Sequence, residues 1–114
     1  MATRYYLSLP DPARARGADT RTSFTAHGAE EFAAQLQDAL RTRGLFDRWR
    51  AAQEDPDSVD ASMGVVDPNA TVTGEQRDLR VDLVATTTLP GTILKHRLRL
   101  LAGNGWEMRD VTSA

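Results

Sequence analysis

The chain has no cysteine, and this absence removes several kinds of chemistry at once. Disulfide bonds, thiol nucleophiles, iron–sulfur clusters and thiolate zinc sites all require the missing side chain. Histidine is scarce too, because His27 and His96 are the only two and cannot form an H-x-x-x-H pair of metal ligands. We therefore expect no metal and no cofactor, and the lack of thiols suits a reducing compartment.

Long apolar runs are also missing. No segment approaches the roughly 20 apolar residues that a membrane-spanning helix needs. The first residues contain no apolar run of the kind found in signal peptides. We therefore predict a cytoplasmic protein that makes no contact with a membrane.

Recognisable catalytic patterns are absent as well. The sequence contains no G-x-S-x-G, no P-loop and no G-x-G-x-x-G. The acidic stretch 55–60 lacks the glycine and the terminal glutamate of a calcium-binding loop. These absences lead us to expect a protein that is not an enzyme.

The balance of charge is close to neutral. The net charge is −2 over 114 residues, and Lys95 is the only lysine among 14 basic residues. Proteins that bind duplex nucleic acid are usually basic, so nucleic acid is not the expected partner. The preference for arginine over lysine is typical of a GC-rich bacterial genome, and a chain of this length predicts a single domain over residues 1–114.

Apolar residues recur at intervals that distinguish strands from helices. Alternation predicts strands at Arg4–Leu9, Thr20–Ala26, Ser62–Val66, Leu79–Thr87 and Trp106–Val111. Helical spacing predicts helices at Gly28–Arg43, Leu45–Gln53 and Pro90–Ala102. Gly74–Asp78 is predicted to be a hairpin loop, and Gly103 is predicted to end the last helix.

These elements predict an α+β protein. A two-layer sandwich buries the apolar stripes most economically, with a mixed or mainly antiparallel sheet of four or five strands and two main helices on one face. A ferredoxin-like βαββαβ core is the specific topology that we expect. We also expect Leu79 to lie in the core and Arg4–Leu9 to form an edge of the sheet.

The second predicted helix carries a candidate interaction surface. Phe46 and Trp49 lie on its apolar side, and Arg48 and Arg50 lie beside them. Aromatic and arginine side chains are enriched at protein interfaces. The alternative is that Phe46 and Trp49 close the edge of the core while the arginines stay in solvent.

The last predicted helix carries a candidate anion surface. Lys95, His96, Arg97 and Arg99 cluster on it, and Arg109 of the following strand could lie near. Such a cluster can attract an anion, RNA or an acidic partner. The alternative is a solvated helix face with its cations toward the C-terminal end, where the helix dipole favours them.

The segment Leu98–Met108 contains Gly105, Trp106 and Glu107 just before its last residue. This "helix, glycine, Gly-Trp-Glu, apolar strand" ending resembles that of small uncharacterised bacterial domains. The resemblance covers about a tenth of the chain. Because those domains have no known function, it implies an α+β fold and no activity.

The leading functional hypothesis is a small non-catalytic domain that acts by self-assembly or by association with another protein. It depends on the Phe46 and Trp49 element and on an exposed edge at Arg4–Leu9, since a free edge invites pairing. The alternative is a ligand- or anion-binding module, or a weak enzyme, that uses the basic last helix. RNA binding is the third hypothesis.

Overall fold

The sheet is built around β1 (Thr3–Leu9), which has a strand on each side. The computed structural model describes residues 1–114 and contains β2 (Thr71–Arg77), β3 (Arg80–Thr87) and β4 (Glu107–Ser113) as the other strands. The strand order is β2–β3–β1–β4, and every neighbouring pair is antiparallel. The order of helices and strands along the chain completes the ferredoxin-like βαββαβ arrangement.

Three α-helices accompany the sheet: α1 (Ala29–Arg41), α2 (Gly44–Ala51) and α3 (Gly91–Ala102). The helices pack on one face of the sheet, which confirms the predicted α+β sandwich. Helices α1 and α3 bury the apolar residues that repeat at helical spacing. These are Phe32, Leu36 and Leu40 on α1, and Ile93, Leu94, Leu98 and Leu101 on α3.

The inward side chains of the strands complete one core cluster of 23 buried residues. From the strands it takes Tyr5, Leu7, Leu9, Val72, Val81, Leu83 and Ala85. Gly74 is also on this side, and a side chain there would collide with the backbone carbonyl of Ala29. The start of α1 therefore packs directly on β2.

The predicted strand Thr20–Ala26 is wrong. This segment is irregular because side chains, and not a neighbouring strand, bind its backbone. Arg16 donates to the carbonyl oxygens of Phe24 and Ala26 at 2.9 and 2.6 Å, and the Gln35 side chain accepts from the Thr25 N–H at 3.0 Å.

The predicted strand Ser62–Val66 is wrong as well. The chain there forms a 3₁₀ helix over Ala61–Gly64, and the Asp60 carboxylate caps it by accepting the Ser62 N–H at 3.0 Å. A capping aspartate offers the backbone a local partner, which favours a helical turn over a strand.

The loop predicted at Gly74–Asp78 is shorter than expected. Strand β2 continues to Arg77, and only Asp78 and Leu79 connect it to β3. Asp78 has a φ of +56°, a conformation that aspartate tolerates better than most residues. Leu79, which the pattern placed in the core, is therefore at the tip of a hairpin and is 87% exposed.

The edges of the sheet are not where the sequence pattern placed them. β1 is a central strand, so the prediction of an edge at Arg4–Leu9 is wrong; the edges are β2 and β4. On β2, the Gln37 side chain accepts the outward N–H of Val72 at 3.0 Å. On β4, a bulge at Arg109 interrupts the register between the pairs that contain Met108 and Asp110.

Arg97 of α3 is fully buried, although the pattern placed it on a basic surface. Its guanidinium donates to Ala39 O at 2.8 Å, to Met63 O at 2.9 Å and to Val65 O at 2.7 Å. Burial, with a contribution from Arg43, lowers the pKa of Arg97. The side chain thereby joins α3 to the end of α1, to the 3₁₀ helix and to the residue that follows it.

Asp67 is the second buried charged group that ties distant segments. Its carboxylate accepts from the Thr87 hydroxyl at 2.8 Å, the Thr88 N–H at 2.9 Å and the Asn69 N–H at 3.0 Å. Burial by itself raises the pKa of Asp67, but these hydrogen bonds outweigh it and hold the pKa below the ordinary aspartate value.

Replacing Arg97 with methionine should lower the free energy of unfolding by about 3 kcal/mol, because three carbonyl groups lose their donor. Arg99→Met is the matched control on the exposed side of the same helix, and it should change stability by about 0.5 kcal/mol or less. Urea unfolding measures both, and equal effects would contradict the structural role of Arg97.

Asp67→Ala should destabilise the protein at neutral pH, and the difference from the wild type should shrink in acid. Because the pKa of Asp67 is lowered on folding, its contribution is complete above about pH 4 and is lost as pH falls through the folded-state pKa. Urea unfolding between about pH 7 and pH 2 checks this. A difference that does not depend on pH would refute the assignment.

Candidate functional site

One face of the sheet carries no helix, and we call it the open face. Strand register arranges its outward side chains in rows across the sheet. From β2 to β4, the central row is Thr73, Val84, Tyr6 and Asp110; the acidic row is Glu75, Asp82, Ser8 and Glu107; the arginine row is Arg77 and Arg80. Strand alternation alone explains why these residues point away from the core.

A cleft of about 440 Å³ crosses the central, acidic and arginine rows on β2 and β3 and reaches Tyr6 on β1. Tyr6 and Val84, which are directly opposite each other in register, line it, and Thr73 lies at its side. Arg109 also reaches the cleft, because the bulge in β4 adds this residue between two paired positions. The concave part of the open face therefore combines Tyr6 and Val84 with charged side chains of the acidic and arginine rows.

Ion pairs join the acidic row to the arginine row. Arg77 contacts Glu75 at 2.9 Å and Asp82 at 3.2 Å, and Arg80 contacts Asp82 at 3.1 Å. Because these side chains are partly exposed, each pair adds little to stability. They place guanidinium and carboxylate groups side by side in the lining of the cleft.

Charges on the open face balance. Its basic side chains are Arg4, Arg77, Arg80 and Arg109, and its acidic side chains are Glu75, Asp82, Glu107 and Asp110. A balanced face repels neither anions nor cations as a whole. It is suited to a surface that carries both signs in a complementary arrangement.

The predicted interaction surface on α2 is divided by the structure. Phe46 is only 1% exposed and packs beneath Arg43, whose guanidinium carbon lies 5.3 Å from the ring centroid. Arg48 donates to Arg21 O at 3.1 Å, and Arg50 donates to Pro56 O at 2.9 Å. Phe46 thus belongs to the packed interior, and the two arginines bind the backbone of neighbouring loops.

Trp49, the fourth residue of that surface, is half-buried. Its ring meets the His96 ring edge-on, with centroids 4.6 Å apart. This contact joins Trp49 of the predicted interaction surface to His96 of the predicted anion surface. It uses both rings for packing between the helices.

The predicted anion surface does not form one pocket. Lys95 and Arg99 are exposed on α3, His96 packs against α2, and Arg109 lines the cleft of the open face. None of the three main clefts is lined by Lys95, His96 or Arg99. The proximity of Arg109 to the basic helix, which the anion hypothesis required, is absent.

His96 is held in its neutral form by its surroundings. Burial lowers its pKa, and the positive charges of Arg97 and Arg99 lower it further. Its buried Nδ1 atom makes no hydrogen bond. Protonation of that nitrogen would therefore add a charge that has no acceptor.

Sequence reasoning missed that Tyr6 and Val84 are neighbours at the centre of the open face. Alternation along each strand showed that both residues point away from the apolar side. Only the strand order, with β3 directly beside β1, places them against each other. The predicted ferredoxin-like topology implies this strand order, so writing the order out would have placed Tyr6 beside Val84.

Comparison with protein-family models, with curated proteins and with solved structures found no match. The resemblance of the Gly105–Glu107 tail therefore stays a prediction. No helix in the structure has the length and apolar character needed to cross a membrane. The geometry of the open face is the remaining basis for a functional proposal.

Replacing His96 with phenylalanine keeps a ring against Trp49 and removes the titration. Because the pKa of His96 is lowered on folding, the unfolded chain takes up the proton first as pH falls below about 6.5. The wild type should lose stability from there down to the folded-state pKa, and His96→Phe should not. Urea unfolding at about pH 7.5 and about pH 5 compares them, and parallel behaviour would contradict the prediction.

Proposed function

We propose that the protein is a small, non-catalytic cytoplasmic domain that acts by associating with protein through its open face. The observation that carries this proposal is the cleft over Tyr6 and Val84 with its rim of arginine side chains. Tyrosine and arginine are enriched in the buried centres of protein interfaces.

An antiparallel sheet can leave one face in water without any partner. The threonines at positions 71, 73, 86 and 112 fit that arrangement. What favours association is the centre of the face, where an aromatic ring and a β-branched side chain share one concave surface. The fixed guanidinium groups beside it supply directional hydrogen-bond donors for a partner.

The open face is less well suited to RNA or to a simple anion. Tyr6 is its one aromatic side chain, whereas single-stranded nucleic acid is bound by several stacking rings along a basic groove. The carboxylates of Glu75 and Asp82 stand among the arginines and would repel phosphate. Protein, which offers both signs of charge, fits this surface better.

A photoreactive phenylalanine analogue at position 73 tests the proposal. Thr73 is exposed at the rim of the cleft, so the substitution should leave the fold intact. When the labelled chain is illuminated in the cells that naturally make it, residue 73 should form a covalent cross-link to one protein, which mass spectrometry then identifies. The same analogue at Lys95, on exposed helix α3, is the matched control and should give no such adduct.

Circular dichroism of both labelled proteins should match that of the wild type. If position 73 yields no protein adduct, or if both positions yield the same adducts, association through the open face is wrong. The mass of the adduct also reports what the partner is.

A further inference from the structure

We infer that the partner of the open face is a second copy of this chain, bound face to face about a two-fold axis. This inference rests on the proposed function and names its partner. The axis lies midway between the two sheets and runs parallel to the rows, at right angles to the strands. It passes between the acidic row and the arginine row.

The symmetry operation brings opposite charges together. Arg80 and Asp82 are two residues apart on β3, and Arg77 and Glu75 are their register partners on β2. A two-fold axis between these rows places each Arg80 opposite Asp82 of the second copy. It likewise places each Arg77 opposite Glu75 of the second copy, so every new contact joins a guanidinium to a carboxylate.

The same operation supplies a partner for the cleft. The hairpin tip at Asp78 and Leu79 is one row beyond the arginine row, and the central row is one row beyond the acidic row. Each tip joins β2 to β3 and therefore falls opposite Thr73 and Val84 of the second copy, with Tyr6 on the next strand. Leu79, 87% exposed, is the apolar side chain of this tip.

A foreign partner would have to reproduce this order of charges and a protruding apolar residue. The chain itself already carries both, at equal distances on the two sides of the axis. Such self-complementarity is what a two-fold interface requires, since each surface must match its own copy. Charge order and the position of Leu79 therefore point to the same occupant.

The size of the overlap sets the strength of the dimer. Three strands about 4.8 Å apart and four rows about 7 Å apart cover about 400 Å² on each copy. That is about half of the roughly 800 Å² per partner found in stable complexes. The dimer should therefore be weak, with a dissociation constant in the micromolar range or above, and should dissociate on dilution or in high salt.

Two charge reversals test the contact. Arg80→Asp alone places aspartates against Asp82 of the second copy, and Asp82→Arg alone places arginines against Arg80 of the second copy. Each variant should dimerise about tenfold or more weakly than the wild type. An equimolar mixture should recover the dimer, because the first variant then presents two aspartates to two arginines of the second.

Sedimentation velocity over micromolar to millimolar concentrations measures these states, with circular dichroism as the check on folding. Leu79→Ser is a further variant that leaves the core untouched, because the side chain is exposed in the free chain, and it should also weaken the dimer. Lys95→Asp on α3 is the matched control and should dimerise like the wild type.

Recovery in the mixture, with loss in each variant alone, supports the inference. A wild-type dimer that neither reversal weakens overturns the inference but leaves association as such in place. A chain that stays monomeric at millimolar concentration also overturns it. The proposed function then falls only if the cross-linking at position 73 gives no protein adduct.

Discussion

The buried guanidinium of Arg97 is the interaction on which the helical layer depends. A buried cation is normally balanced by a carboxylate, yet here backbone carbonyl oxygens of Ala39, Met63 and Val65 surround it. Two of those carbonyls belong to a segment outside the sheet and the long helices. The segment between α2 and β2 is therefore held in position by α3 through one side chain. Arginine suits this role because its guanidinium carries five N–H donors in a fixed geometry and can bind several acceptors.

The sheet side of the molecule is organised by a different constraint, the central position of β1. β1 pairs with β3 on one side and with β4 on the other, and its two tyrosines point to opposite faces of the sheet. Tyr5 completes the core, whereas Tyr6 becomes the centre of the open face. Two neighbouring residues of one strand thus serve the helix-facing core and the open face, respectively.

Periodicity was sufficient for the class of fold and for the long elements, because the stripes on α1 and α3 and the alternation on β3 are set by local spacing. It failed where side-chain hydrogen bonds compete with strand pairing for the backbone. Arg16 binds carbonyl oxygens of the segment Thr20–Ala26, and Asp60 caps the 3₁₀ helix at Ala61–Gly64. It also failed for Arg97, since charge alone suggested an exposed residue. The candidate site required the strand order, which no local pattern contains.

The two edges of the sheet are partly blocked against pairing with further strands. The Gln37 side chain occupies the outward N–H of Val72 on one edge. On the other edge, Arg109 bulges out of register and the Asp110 carboxylate accepts the N–H of Val111 at 2.8 Å. Sideways addition of chains, which could continue without limit into fibres, is thereby discouraged. The proposed contact through the open face is, in contrast, complete after two copies, so it would join two chains without starting a polymer.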